Sequence, residues 1–267
     1  MSGSFGIFRV MKIKVLPFGT LKVKAGEMVN GLSAAKIRER YHVDPEGNMR
    51  ISMNMMLADT GERVVLFDPG TADFLPARLK TEYGLEQPGS LEQILNEAGY
   101  EPGQVTDVIF THLHFDHGSG AFRRVPGKIV KRFPEADYHV LKAHFDYASG
   151  RNKKESAYFI TLFFRNVDQI RWLEEWRGEW MDYQVFHGHT RGMVVPRILT
   201  GEGEVYYVSD LIPMEIFLDQ DACSGYDRDP ELARKEKTAF LEGLDRPSEL
   251  VLFHDPVRPA VDYPPDS

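Results

Sequence analysis

Thr111-His112-Leu113-His114-Phe115-Asp116-His117-Gly118-Ser119-Gly120 places three imidazoles and one carboxylate within six residues. It follows directly on the apolar run Val105-Thr106-Asp107-Val108-Ile109-Phe110. In an extended segment residues two apart point the same way, so His112, His114 and Asp116 are expected to converge on one side. His117 then stands where the chain must turn, because Gly118 and Gly120 follow it. Neutral imidazole and carboxylate oxygen suit zinc and related divalent metals, and short His- and Asp-rich tracts at ligand spacing are usually metal sites. The stretch reads as a metal-binding loop at the end of a buried strand.

Upstream of that strand, residues 90–98 carry the clearest helix signal. Leu91, Ile94, Leu95 and Ala98 make an apolar stripe, Ser90 with Gln93 forms a capping box, and Gly99 ends it. A helix feeding a buried strand whose carboxyl end carries ligands is an α/β arrangement. Earlier still, residues 51–58 and 63–68 read as two strands joined by the turn Asp59-Thr60-Gly61-Glu62. The second is apolar throughout, hence buried on both faces. It ends in Asp68, a carboxylate expected to anchor backbone amides of a loop, with a place in the site as the alternative. Residues 74–83 look helical, with Leu75, Leu79 and Tyr83 on one face. Residues 11–24 alternate around Pro17 and Gly19, as a strand pair at a sheet edge would. Residues 26–47 read as an irregular loop in which His42 is a surface residue.

Downstream, residues 122–133 are basic and turn-rich, and 137–141 form a strand. His139 and His144 lack neighbours at ligand spacing and read as surface or packing histidines. Trp172, Trp176 and Trp180 recur every four residues, which in a helix makes one stripe, a core or partner surface or a wall of the substrate pocket. Gly178 interrupts it, so helix and two short strands both remain open. Residues 194–199 and 205–209 form a second hairpin. Asp229 caps a helix with Pro230 at its first position, stopped by Gly243. Residues 250–253 are one more apolar strand, and the proline-rich tail after Val257 reads as irregular.

The chain has 267 residues, 42% apolar and 27% charged, with a formal net charge of -8. That is the composition of a globular protein with a sizeable core, and the acidic balance disfavours a nucleic-acid partner. The single cysteine, Cys223, leaves no intramolecular disulfide or thiolate cluster and fits a reducing compartment. No apolar run is long enough to span a bilayer, and residues 1–10 lack the layout of a secretion signal. The expectation is a cytoplasmic protein with no membrane contact. Residues 1–267 form one domain, of which 1–10 are a disordered extension without structural duty. A homodimer is compatible with the sequence.

Four separate apolar strands end in a metal-binding residue type: Phe110 before the cluster, Phe186 near His189, Ser209 before Asp210, and Phe253 before His254. Collected at one sheet edge, seven such ligands suffice for two metals. On His112-x-His114-x-Asp116-His117, Gly188-His189-Thr190-x-Gly192, Asp210 and His254, the chain resembles the metallo-β-lactamase fold superfamily of metallohydrolases. The likeness runs from the strands before Asp68 to His254. It implies an α/β fold, a four-layer αβ/βα sandwich of two mixed β-sheets flanked by helices. It also implies one metal on His112, His114 and His189, a second on Asp116, His117 and His254, and Asp210 bridging them.

The expected cofactors are two divalent metal ions, zinc first, with iron and manganese as further candidates. A metal-bound hydroxide would cleave a lactone, ester, thioester or phosphoester of a small molecule. Asp116 and Asp210 are the candidate catalytic residues, with Asp116 expected to accept or pass the proton; Ser119 and Cys223 are left structural. Three departures bear on substrate. Arg191 stands where the family often has proline. His187 adds an imidazole that is either an outer-shell donor or simply exposed. Pro213 occupies the place of a tyrosine that helps hold the carbonyl oxygen in the lactone-cleaving branch, leaving Tyr226 and Tyr158 as candidates to replace it. His114, where the flavodiiron branch has glutamate, argues against that branch. The alternatives are a mononuclear iron persulfide dioxygenase-type oxidoreductase and a non-catalytic binding protein on the same fold; the complete ligand set argues against the latter.

Overall fold

The computed structural model describes residues 11–150, 155 and 158–264; the extension expected over residues 1–10 lies outside them. The chain opens on β1 (Lys12–Lys24), a single long strand antiparallel to β2 (Asn48–Asp59). A strand pair was expected, but Pro17 and Gly19 make a bulge instead, shifting the register between Pro17 and Thr20. The backbone at Gly19 passes close to a neighbouring loop, where a Cβ would sit 2.4 Å from the Glu86 carbonyl oxygen.

Between these strands lie α1 (Ala25–Met28) and α2 (Ala34–Arg40), where a loop was expected. Ser33 caps α2 by accepting from the Lys36 amide. Then follow β3 (Val64–Phe67), the short α3 (Ala77–Glu82), α4 (Leu91–Glu97) and β4 (Asp107–Ile109). Ser90 caps α4 as expected, but only half of the capping box forms, because the Gln93 side chain donates to Glu97 instead. The one-turn α5 (Phe115–Gly118) carries the second half of the His-rich stretch. The hairpin β5 (Phe122–Val125) and β6 (Lys128–Lys131) precedes β7 (Asp137–Val140), α6 (Lys142–Ser149) and β8 (Ile170–Trp172). The first sheet has the order β1-β2-β3-β4-β7-β8, with its last four strands parallel.

The second sheet is built from β9 (Met181–Phe186), β10 (Met193–Leu199), β11 (Glu204–Tyr207), then, after α7 (Pro230–Glu242), β12 (Ser248–Val251) and β13 (Ala260–Tyr263). Its order is β13-β12-β11-β10-β9, and the β11–β12 pair is parallel, so both sheets are mixed. The tail is therefore not irregular throughout. Ala260-Val261-Asp262-Tyr263 pairs with β12 as an edge strand, where flanking prolines lose no ladder bond.

The two sheets meet through their most buried residues. The Ser52 and Asn54 amides of β2 donate to His254 and Phe253 at 3.0 and 2.8 Å. Phe67 of β3 packs on Tyr207 of β11, with ring centroids 5.8 Å apart. Each fully buried Phe contributes about 1.5–3 kcal/mol. Outside the first sheet α4 buries Leu91 and Leu95. Outside the second, Phe240 of α7 packs on Phe186 and Tyr206. The layers thus run helix, sheet, sheet, helix, the expected four-layer sandwich. Among the described residues no helix is long and apolar enough to cross a membrane.

The tryptophan stripe does not form. Trp172 ends β8, a 3-10 turn follows, and Trp176 folds back over Gly178, where a Cβ would lie 2.7 Å from its Nε1. Trp176 meets Trp180 edge to face and Trp172 packs on Phe145. None of the three lines the cavity described below, so the pocket-wall reading falls and the packing reading stands.

Candidate metal centre

Every expected ligand sits at the carboxyl end of a strand. The loop after β4 carries His112, His114, Asp116 and His117, the loop after β9 carries His189, and those after β11 and β12 carry Asp210 and His254. The centre therefore lies where the two sheets meet. The extended-chain argument holds only as far as His114. From Phe115 the chain turns into α5, so Asp116 leaves the side of His112 and His114 and joins His117 and His254. The glycines serve close approach rather than an unusual φ. A Cβ on Gly118 would lie 2.8 Å from the Phe110 ring, and one on Gly120 would lie 2.2 Å from the Pro69 carbonyl oxygen.

Two groups of donor atoms result. His112 Nε2 is 3.0 Å from His114 Nδ1, His189 Nε2 is 3.2 Å from the same atom, and Asp210 Oδ2 is 3.0 Å from His189 Nε2. On the other side, His117 Nε2 lies 3.3 Å from Asp210 Oδ2, His254 Nε2 lies 3.4 Å from Asp210 Oδ1, and Asp116 Oδ2 lies 3.6 Å from His254 Nε2. Asp210 is grouped with the first set, and its two oxygens also approach His117 and His254 of the second. A tetrahedral zinc with bonds of 2.0–2.1 Å sets its ligand atoms about 3.3–3.4 Å apart, close to these spacings.

Outer partners orient the imidazoles. Asp68 accepts from the Thr111 amide at 2.8 Å, from the Thr111 hydroxyl at 2.6 Å and from His117 Nδ1 at 2.9 Å. Having given its proton to Asp68, the Thr111 hydroxyl is left to accept from His112 Nδ1 at 3.0 Å. His189 Nδ1 bonds Asp227 at 3.0 Å, and His254 Nδ1 bonds the Ser52 carbonyl at 2.8 Å. With Nδ1–H so held, each of these four rings turns Nε2 inward as a lone pair. Buried His117 Nε2 and Asp210 Oδ1 have no hydrogen-bond partner. Buried donor atoms that converge, two of them unpartnered, suit a cation, so the residues fit a metal centre.

The electrostatics agree. Burial holds the His112 and His114 imidazoles well below their usual range. Burial would lower His117 and His189 too, but Asp210 with Asp116 and Asp68 lifts His117 well above it, and Asp210 with Asp227 lifts His189 to about 10. Burial would raise Asp210, yet His117, His189 and His254 hold it well below the ordinary carboxylate value. The carboxylates thus favour positive charge at His117 and His189, the same charge a bound cation would supply.

The remaining candidates are placed as follows. Buried His144 accepts from the Leu113 amide at 2.9 Å and donates from Nδ1 to the Arg191 carbonyl at 2.7 Å. It braces the two ligand loops without being a ligand, and burial pushes it down to about 4. His139 is also buried, bonding Asp107 at 2.8 Å. That pair and Asp137 form a further acidic cluster, but Arg63 and Arg171 already neutralise it. His187 is exposed, accepts from the Gly192 amide and touches no ligand ring. His42 is exposed as expected. Ser119 is structural, accepting from the Ala72 amide.

The two donor groups open on a cavity of about 370 Å³. Leu21, Val23, Met28 and Ile51 make an apolar wall, and Pro213, Tyr158, Tyr226 and Tyr83 also line it. Sequence reasoning proposed Tyr158 and Tyr226 but assigned Tyr83 to a helix face, and it gave Thr111 and Asp227 no role. A lone Asp227 in a long loop carries no local signal; only its 3.0 Å approach to His189 reveals it.

Over residues 51–253 the sequence matches the family model described as "Metallo-beta-lactamase superfamily". A search of curated proteins finds no match. Similar solved structures include a probable metal-dependent hydrolase from Staphylococcus aureus, at 18% identity and a TM-score of 0.85, covering 96% of this chain and 93% of that one. AidC, a dizinc quorum-quenching lactonase in complex with a product, aligns at 21% identity and a TM-score of 0.76 over 96% and 95% of the two chains. The hydrolase AbOPH of the beta lactamase superfamily aligns at 19% identity and a TM-score of 0.76 over 98% and 90%.

Proposed function

The chain belongs to the metallo-beta-lactamase superfamily of metal-dependent hydrolases, and we propose that it uses two divalent metal ions to hydrolyse an ester-like bond in a small molecule. Lactones, esters, thioesters and phosphoesters are the candidate substrates. One observation carries the reading: Asp210, a member of the first donor group, also lies 3.3 and 3.4 Å from His117 and His254 of the second, and the two groups open on a cavity with an apolar wall. Divalent ions bound there supply a water of lowered pKa and a Lewis acid for the substrate oxygen. His112, His114 and His189 would hold one ion, Asp116, His117 and His254 the other, and Asp210 both. Their nitrogen and carboxylate donors favour zinc, with iron and manganese next.

The chain's own residues do the rest. Asp116 keeps 16% side-chain exposure and lines the cavity, which places its carboxylate to take a proton and pass it to the leaving group. Leu21, Val23, Met28 and Ile51 exclude water from the bound substrate. The dizinc lactonase AidC supports the lactone option. Pro213 offers no hydroxyl, so any phenol acting on a carbonyl oxygen comes from Tyr83, Tyr158 or Tyr226.

The test is elemental analysis of the purified protein, followed by a panel of lactones, aryl esters and phosphotriesters on the same sample. Close to two metals per chain and turnover abolished by chelation are expected. Asp210→Asn should lower kcat/KM by more than the roughly 100-fold typical of an outer partner with the fold intact. Oxygen consumption with a glutathione persulfide would instead identify an iron oxidoreductase, and a stable, well-folded protein that binds no metal would sink both.

A further inference from the structure

Arg228 lines the cavity, and its backbone and side chain are both tethered. Its amide donates to the His189 carbonyl at 2.9 Å, and its Nη2 donates to the His187 carbonyl at 2.8 Å. The preceding residue, Asp227, orients His189, so the guanidinium rides on the segment that positions a metal ligand. Nε is buried with no acceptor, and among the described residues no carboxylate lies within ion-pair reach of Arg228.

The acids around it are engaged elsewhere. Asp116 and Asp210 belong to the metal centre, Asp227 holds His189 and the Ser224 amide, and Glu155 accepts from Tyr147 and Thr190. Among the described residues lining the cavity, Arg228 alone is a lysine or arginine. A guanidinium whose Nε–H lacks an acceptor in a partly buried wall is unfavourable until one arrives. Its planar fork matches the paired oxygens of a carboxylate or phosphate. The apolar wall cannot take such a group.

We propose that Arg228 anchors an oxyanion carried by the substrate, a carboxylate or a phosphate, while the ester-like bond lies at the metal ligands. The substrate class is thus an anionic ester or lactone rather than a neutral one. As to the bond broken, this rests on the hydrolase reading; as to the anion site, it does not.

Binding without turnover tests it. The zinc-loaded full-length protein is titrated calorimetrically with α,ω-dicarboxylates from succinate to suberate and with monocarboxylates of equal length. One carboxylate can occupy the metal centre in both series, so only the second reports on Arg228. The expected result is one chain length at which the dicarboxylate binds about tenfold tighter or more, with Arg228→Met bringing the ratio to about one. ω-Phosphonocarboxylates run alongside show which oxyanion the fork prefers, and an advantage for either, lost in Arg228→Met, supports the assignment. No advantage at any length in the wild type, or an advantage that survives Arg228→Met, overturns it. A protein that shows the advantage but hydrolyses nothing refutes the reaction and keeps the anchor.

Discussion

Asp68→Asn changes one atom, and its effect follows from a single hydrogen-bond constraint. The Thr111 amide donates to Asp68 Oδ1 at 2.8 Å, so the new side chain must keep its oxygen there. Its NH2 then occupies the Oδ2 position, 2.9 Å from His117 Nδ1. That contact now has the amide donating and Nδ1 accepting, which moves the imidazole proton to Nε2, the atom that faces Asp210. A protonated Nε2 cannot bind a metal. Asp68 lies at φ 43, a left-handed conformation that Asn tolerates well, so the backbone adds no cost. Folding stability should drop by about 1.5–3 kcal/mol for the lost charge-assisted bond. Affinity for the second metal should fall roughly 10–100-fold, about 1.4–2.8 kcal/mol. Zinc titration against a competing chromophoric chelator measures the affinity, and ¹⁵N spectra of the imidazoles report the tautomer. Unchanged affinity, or a His117 that keeps its proton on Nδ1, would refute the reasoning.

Three further expectations bear on the same architecture. Gly188→Ala puts a Cβ 2.3 Å from the backbone of Ala233 on α7; overpacking of this kind costs about 1–3 kcal/mol or more, and it should weaken metal binding through the adjacent His189, read by denaturation and zinc titration together. Chelation should leave the far-ultraviolet circular dichroism unchanged but lower Tm by about 5–10 °C if metal had been present near 100 times its Kd; an unchanged Tm would contradict the centre's role in joining the sheets. Burial alone would raise the Asp107 carboxyl above its ordinary 3.8, but His139, Thr106 and Arg63 hold it lower. Its stabilisation is therefore present above that value and is lost as pH falls through the folded one. Asp107→Asn should be less stable than wild type at pH 7, and the gap should close in acid, which melts at pH 7 and pH 3 compare.

How far the fold and site are legible in the sequence depends on how local each signal is. The cluster from His112 to His117, the capped helix α4, the β2–β3 hairpin and α7 are written within ten or so residues, and the structure keeps them. Where long-range packing decides, the local pattern misleads. Pro17 and Gly19 suggested a turn, yet β2 pairs along the whole of β1 and makes them a bulge. The tryptophan spacing suggested a helix, yet Trp176 closes over Gly178 and cancels it. Asp227, Tyr83 and Arg228 acquire their roles only from elements distant in sequence, so no window around them reveals what they do.

The donor groups straddle the two sheets, and that dictates an order of events while the chain is being made. Synthesis runs from residue 1 upward. The first group, His112, His114, His189 and Asp210, is complete in sequence once Asp210 has emerged. The second waits for His254, near the far end of the described chain. If the proposed ions bind during synthesis, the first donor set is the one that can close around an ion before the second is complete. On that reading His254 is a latch: it reaches the second donor set only once β12 has paired with β11.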